Sequence, residues 1–110
     1  MNNIPQKILE QIKIHCHKYS DQEACGIIYK SENELHFLEC DNLSDNRKYH
    51  FIIDPMILID YDVKYIVHSH INSSAKPSEC DVNNANELCI PFLIYSLCYD
   101  NFYLYDNISV

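Results

Sequence analysis

A chain of 110 residues, 47% of them apolar, has material for one compact core and not for two, so one domain over residues 1–110 is expected. Sixteen acidic against 8 basic side chains leave a net charge of -8, a field that repels polyphosphate and anionic lipid surfaces alike. No run of Lys and Arg interleaved with aromatics reverses that locally, which excludes nucleic acid and the membrane surface as partners.

The first residues, MNNIPQKILEQ, lack the cationic start and unbroken apolar stretch of a secretion signal. The longest apolar run, Leu88 to Leu97, is about half of what a bilayer crossing needs. A cytoplasmic chain is expected, and its six cysteines (Cys16, Cys25, Cys40, Cys80, Cys89, Cys98) should then be thiols, most of them small buried hydrophobes.

From Pro5 to Tyr19 the apolar positions Ile8, Leu9, Ile12 and Cys16 recur at three- to four-residue spacing, one face of an amphipathic helix. Ala24 to Tyr29 and Glu34 to Glu39 read as strands joined by the polar turn KSEN, a hairpin. DNLSDNR, Asp41 to Arg47, is dense in turn formers and should be a loop, followed by a strand over Tyr49 to Ile53. Asp54-Pro55 caps and begins a short helix reaching Tyr61. Lys64 to Ser69 is apolar and β-branched enough for a central strand that delivers His68 and His70 at its carboxyl end. After the polar loop INSSAKP a second helix spans Ser78 to Leu88, and strands at Phe92 to Cys98 and Asn101 to Tyr105 close the chain. With a single glycine, Gly26, the turns must rely on Asn and Asp. This order makes an α/β or α+β domain.

Side chains alternate in a strand, so His68 and His70 project to one side and can converge on a single ion. Asp81, one turn into the following helix, can return its carboxylate to that ion if the loop folds the helix start over the strand end. Two histidines and a carboxylate leave a tetrahedral zinc with one open position, the catalytic pattern, where water is activated and a base must carry its proton. Glu23, just before the first apolar strand, is the candidate base. Each feature also has a bland reading. Ser78-x-x-Asp81 makes a helix capping box, His68 and His70 read equally as strand residues facing solvent, and Glu23 as a solvated surface acid. The HCH triplet His15-Cys16-His17 is not a metal site, because helical neighbours diverge by about 100°. His36 and His50 are assigned no role.

Together, His68, Ser69, His70, Ser78 and Asp81 resemble the JAMM signature (also called JAB or MPN+) of zinc metallopeptidases, and EACG from Glu23 to Gly26 is similar to that family's upstream glutamate segment. The usual proline after HSH is Ile71 here. The resemblance implies a deaminase-like α/β sandwich, a mixed β-sheet flanked by an N-terminal helix and a central helix. It implies that His68, His70 and Asp81 bind Zn2+, that Glu23 activates the water and shuttles its proton, and that Ser78 hydrogen-bonds the oxyanion. The short length and PSECD resemble most the prokaryotic branch found in phage tail-assembly peptidases. The implied substrate is a protein or peptide, ubiquitin-like or a tail protein, in the cytoplasm or associated with a phage tail.

Three competing functions remain. A zinc deaminase needs HxE with PCxxC, and neither is present. A thiol hydrolase would use Cys25 or Cys80 with His68. A non-catalytic zinc-binding scaffold or tail-structural module would keep the fold as a binding surface.

Overall fold

The computed structural model describes residues 3–107. Its elements are α1 (Gln6–Lys18), β1 (Cys25–Ser31), β2 (Glu34–Cys40), α2 (Pro55–Asp60), β3 (Val63–His70), α3 (Glu79–Leu88), β4 (Phe92–Ser96) and β5 (Asn101–Tyr105). The five strands form one sheet in the order β2-β1-β3-β4-β5. All neighbours are antiparallel except β3 and β4, which run parallel and are joined through α3. The sheet is therefore mixed, and the fold is the α/β sandwich that the resemblance implies.

Alternation along the strands builds a core on each face. Ile28, Val67, Leu93 and Tyr95 point to one side and meet Ile8, Ile12 and Cys16 of α1. Ile27, Ile66, Phe92 and Ile94 point to the other and meet Ala85 of α3, with Ile57 and Leu58 of α2 beside them. Each fully buried isoleucine contributes about 2 kcal/mol of transfer free energy, so both helices are held chiefly by their apolar stripes. Pro5 is the cap residue before α1 rather than part of its first turn, and its carbonyl accepts from Ile8 and Leu9 N–H. Asp54 caps α2 by accepting from Met56 N–H at 3.0 Å, with Pro55 at the first helical position.

The strand expected over Tyr49 to Ile53 does not form. Leu43 of the preceding loop donates its N–H to the Ile52 carbonyl at 2.9 Å, and a side chain takes the neighbouring places. Asn42 accepts from Ile52 N–H at 3.1 Å and donates to the His50 carbonyl at 2.9 Å, occupying positions that a neighbouring strand would use. Both edges of β1 are already taken by β2 and β3.

Positive φ falls on Asn33 and Asp100, as a glycine-poor chain requires, but also on Glu32 and on Cys89, the left-handed cap of α3. Gly26 serves packing instead of turning. A Cβ there would lie 2.5 Å from the Leu38 carbonyl oxygen and 2.7 Å from Phe37 Cε1, so β1 and β2 can approach only without one.

Among the described residues no helix is long and apolar enough to cross a membrane. The cysteines divide evenly. Cys16, Cys25 and Cys40 are buried as expected, whereas Cys80, Cys89 and Cys98 are exposed, and all six are free thiols.

Candidate metal centre

The register of β1 against β3 decides where Glu23 goes. Cys25 pairs with His68, and the pairing continues outward because Ser69 N–H donates to the Ala24 carbonyl at 3.0 Å. Glu23 therefore lies opposite His70 and shares the His68 face of the sheet. It is 9% exposed, so it is not the solvated acid of the bland reading. His68 and His70 leave β3 on the same face, at the carboxyl end of the parallel β3–β4 pair, where α3 begins.

At that junction α3 brings Asp81 back. Ser78 Oγ accepts from Asp81 N–H at 3.1 Å and Asp81 Oδ2 accepts from Ser78 N–H at 3.0 Å, a complete capping box. The same carboxylate reaches both imidazoles: Oδ1 is 3.2 Å from His68 Nε2, and Oδ2 is 3.0 Å from His70 Nε2. The capping box and the convergent site are thus one arrangement, not alternatives. Ser78 Oγ spends only a lone pair on the cap, which leaves its hydroxyl proton available. Glu23, His70, Ser78, Cys80 and Asp81 line a common cleft of about 270 Å³.

Ring chemistry makes this an electron-rich pocket. His70 Nδ1 lies 2.7 Å from the Ser74 carbonyl oxygen and must donate to it, so in a neutral ring Nε2 carries the lone pair that faces Asp81. His68 is fully buried, with Glu23 Oε1 3.5 Å from Nδ1 and Asp81 Oδ1 3.2 Å from Nε2. Neither contact is aligned as a hydrogen bond, so both ring nitrogens are orphaned. Burial alone would push His68 down, but the Asp81 and Glu23 carboxylates outweigh it and hold it up at about 9. Burial likewise acts to raise Asp81, yet His68, His70 and the Ser78 N–H hold it far below the usual carboxylate range.

Glu23, His68 and His70 offer donor atoms that all lie within 4.8 Å of one another, a cluster that can hold a metal ion. Asp81, a ligand in the set that the resemblance implies, stands outside that cluster but contacts both rings. Two donors bound at roughly 2 Å to a tetrahedral ion sit about 3.3 Å apart, close to the separations of Asp81 from the two rings. Two carboxylates also match the charge of a divalent cation. Among the described residues no other group of three such donors comes together. A larger cavity of about 620 Å³, lined by His15, Glu39, Asp41 and Arg47 among others, lacks that convergence.

The profile of prokaryotic homologues of the JAB domain matches residues 5–105. The chain belongs to the prokaryotic JAB family. This JAB domain is 30% identical over 98 residues to the tail tip assembly protein K of Escherichia phage N15, an alignment that covers 83% of the chain and 39% of that protein. The chain thus spans about two fifths of the length of that curated relative. Among solved structures it resembles a protein from Desulfitobacterium hafniense at a TM-score of 0.66, with 21% identity, covering 90% of this chain and 77% of that one. It also resembles, at a TM-score of 0.61 and 19% identity, a structure described as JAMM, a metalloprotease-like zinc site in the proteasome and signalosome. That likeness covers 94% of this chain and 86% of the other.

All five residues singled out from the JAB domain's sequence (Glu23, His68, His70, Ser78, Asp81) meet at one place. The HCH triplet does not. His15 Nε2 is bonded to the Cys25 carbonyl and His17 Nε2 to Tyr95 Oη, in divergent directions. Cys25 cannot be a nucleophile, because burial pushes its thiol up to about 12. Cys80 does line the cleft, with Asn84 Nδ2 3.7 Å from its sulfur.

Four residues support the site in ways to which the sequence reading gave no role. Ser69, on the opposite face between the histidines, accepts from Ala24 N–H at 2.9 Å and so locks β3 to the residue after Glu23. Ser96 Oγ donates to the Ser73 carbonyl at 2.7 Å, fixing the loop whose next carbonyl orients His70. Phe51 stacks flat on His68, with centroids 4.4 Å apart, and Asn42 holds the segment that carries it. Ser69 stood inside the recognised motif, and Asn42-x-Ser44 has the spacing of an Asx turn; the other two carry no local signal.

Proposed function

We propose that this JAB domain is a zinc-dependent peptidase or isopeptidase that hydrolyses a peptide bond in a protein substrate, ubiquitin-like or a phage tail protein. The observation that carries the reading is the convergence of two buried imidazoles on the Glu23 and Asp81 carboxylates, with neither His68 ring nitrogen engaged in a hydrogen bond. His68, His70 and Asp81 would hold the ion. Zinc, when bound, supplies a Lewis acid and lowers the pKa of a bound water.

The chain's own residues do the rest. Glu23 enters the cleft from a buried position and is the group that accepts the water's proton and returns it to the leaving nitrogen. Ser78 presents its free hydroxyl proton to the carbonyl oxygen as negative charge develops there, a contact that strengthens in the transition state. Ser74 keeps His70 in the tautomer with Nε2 unprotonated, and Phe51 shields one face of His68 from water.

The experiment follows hydrolysis of a ubiquitin-like domain carrying a carboxyl-terminal extension, and of a tail protein, by zinc-loaded wild type and by Glu23→Gln. The reading expects cleavage that chelation abolishes and that Glu23→Gln reduces by at least about a hundredfold while still holding zinc. Cleavage unchanged in Glu23→Gln would remove the glutamate from the chemistry, and cleavage stopped by a thiol-blocking reagent would favour Cys80.

A second reading is favoured by the relative's name, a tail tip assembly protein: a non-catalytic zinc-binding module of the same fold. It expects zinc without cleavage of either substrate.

A further inference from the structure

We infer that Asn42 is the positioning residue of this site, one buried amide that sets Glu23 opposite the histidines and holds the opposing wall over His68. The inference rests on the reading of Glu23 as the proton carrier. Asn42 is 7% exposed, and its side chain uses its full hydrogen-bonding capacity. Nδ2 donates to the Glu23 carbonyl and to the His50 carbonyl, each at 2.9 Å. Oδ1 accepts from Ser44 N–H at 3.0 Å and from Ile52 N–H at 3.1 Å.

These partners lie on two walls of the cleft. One is Glu23, two residues before β1, whose carboxylate faces His68 Nδ1 at 3.5 Å. The other is the pair flanking Phe51, whose ring lies on His68. A glutamate side chain has three rotatable bonds, so its carboxylate is placed only as well as its backbone is. The Glu23 backbone is pinned at both polar groups: its carbonyl to Asn42 and its N–H to the Arg47 carbonyl at 2.7 Å. Asn42 reaches toward that second anchor too, with Nδ2 3.4 Å from the Arg47 carbonyl. The two walls therefore cannot shift independently while this amide is intact.

The test compares Asn42→Asp and Asn42→Ala with Ser44→Ala. Asn42→Asp keeps the acceptor for Ser44 and Ile52 but turns a carboxylate oxygen against the Glu23 and His50 carbonyls. Ser44→Ala removes one bond of the same loop, to Asn46 N–H at 3.0 Å, and touches neither wall. Hydrolysis of the extended ubiquitin-like domain should fall about 10- to 100-fold in kcat in both Asn42 variants, the usual scale for an orienting partner, with KM little changed. Ser44→Ala should stay near wild type. In a Glu23→Gln background Asn42→Asp should cost much less than it does in wild type.

A second measurement needs neither metal nor substrate. In the chelated protein the His68 ring protons are shielded by Phe51, and their NMR signals should move toward the unshielded position in Asn42→Asp but not in Ser44→Ala. Unmoved His68 signals, or an Asn42 effect that persists in full without Glu23, overturn the proposal. If wild type holds no zinc and cleaves neither substrate, the functional reading fails, and the His68 signals alone then decide the placement of Asn42.

Discussion

His70 Nε2 faces an Asp81 oxygen at 3.0 Å while its Nδ1 is committed to the Ser74 carbonyl at 2.7 Å, so in the neutral ring the nitrogen toward Asp81 carries no proton. Two acceptors at that distance repel unless a proton or a metal lies between them. His68 repeats the problem, with carboxylates on both sides of its ring. The pocket is built to hold positive charge, and which cation it holds depends on pH and metal supply.

Without metal, the proton must serve. His68 is held up at about 9 against about 6.5 when unfolded, so the stability it contributes is complete below about 6.5 and is lost as pH rises through 9. That loss is on the order of 3 kcal/mol. Asp81 is depressed, so its contribution is present above about 4 and disappears as pH falls below that. The chelated protein should therefore melt progressively lower from pH 6.5 to 9, and zinc added at pH 8 should restore the melting temperature. A flat or rising profile over that range in the chelated protein would mean that His68 is not held by these carboxylates.

The proposed mechanism gives Ser78 two duties, which stability and rate measured on the same two variants tell apart. Ser78→Ala removes the cap of α3, costing about 1 kcal/mol of stability, and also the hydroxyl donor, expected to cost about a hundredfold in kcat. Ser78→Thr keeps both and should recover most of each. A rate loss no larger than the stability loss explains would confine Ser78 to capping.

Ser96→Ala leaves the Ser73 carbonyl with only the Cys98 thiol at 3.5 Å and loosens the loop that orients His70. Zinc affinity should weaken about tenfold, measured by competition with a chromophoric chelator, although Ser96 is no ligand. Unaltered affinity would show that the loop holds its shape without this bond.

Gly26→Ala tests the fold apart from the site. The new methyl group meets the Leu38 carbonyl and the Phe37 ring, and neither can retreat without separating β1 from β2. A loss of about 1 to 3 kcal/mol is expected, read as a drop of several degrees or more in the melting temperature. A neutral substitution would show that the hairpin has slack.

Much of this was legible in the residues themselves. The spacing of Ile8, Ile12 and Cys16 marked α1, the apolar run before His68 marked β3, and Ser78 with Asp81 marked the start of α3. What local pattern could not carry was anything set by pairing across the sheet. Glu23 stands out as the candidate base, but taken alone it reads equally as a surface acid, because its burial comes from lying opposite His70, a register that no single segment encodes. Tyr49 to Ile53 looked like a strand because its residues suit one, and the amide of Asn42 took the partner's place. The exposed Cys80, Cys89 and Cys98 show the same thing, since small apolar side chains carry no mark of the face they occupy.

The most direct test is the zinc content of purified wild type, Glu23→Gln and His70→Ala after dialysis at pH 7.5. The account predicts about one zinc per chain in the first two and essentially none in the third, since it makes Glu23 the base and His70 a ligand. Zinc retained by His70→Ala, or absent from wild type under zinc-replete conditions, would contradict it.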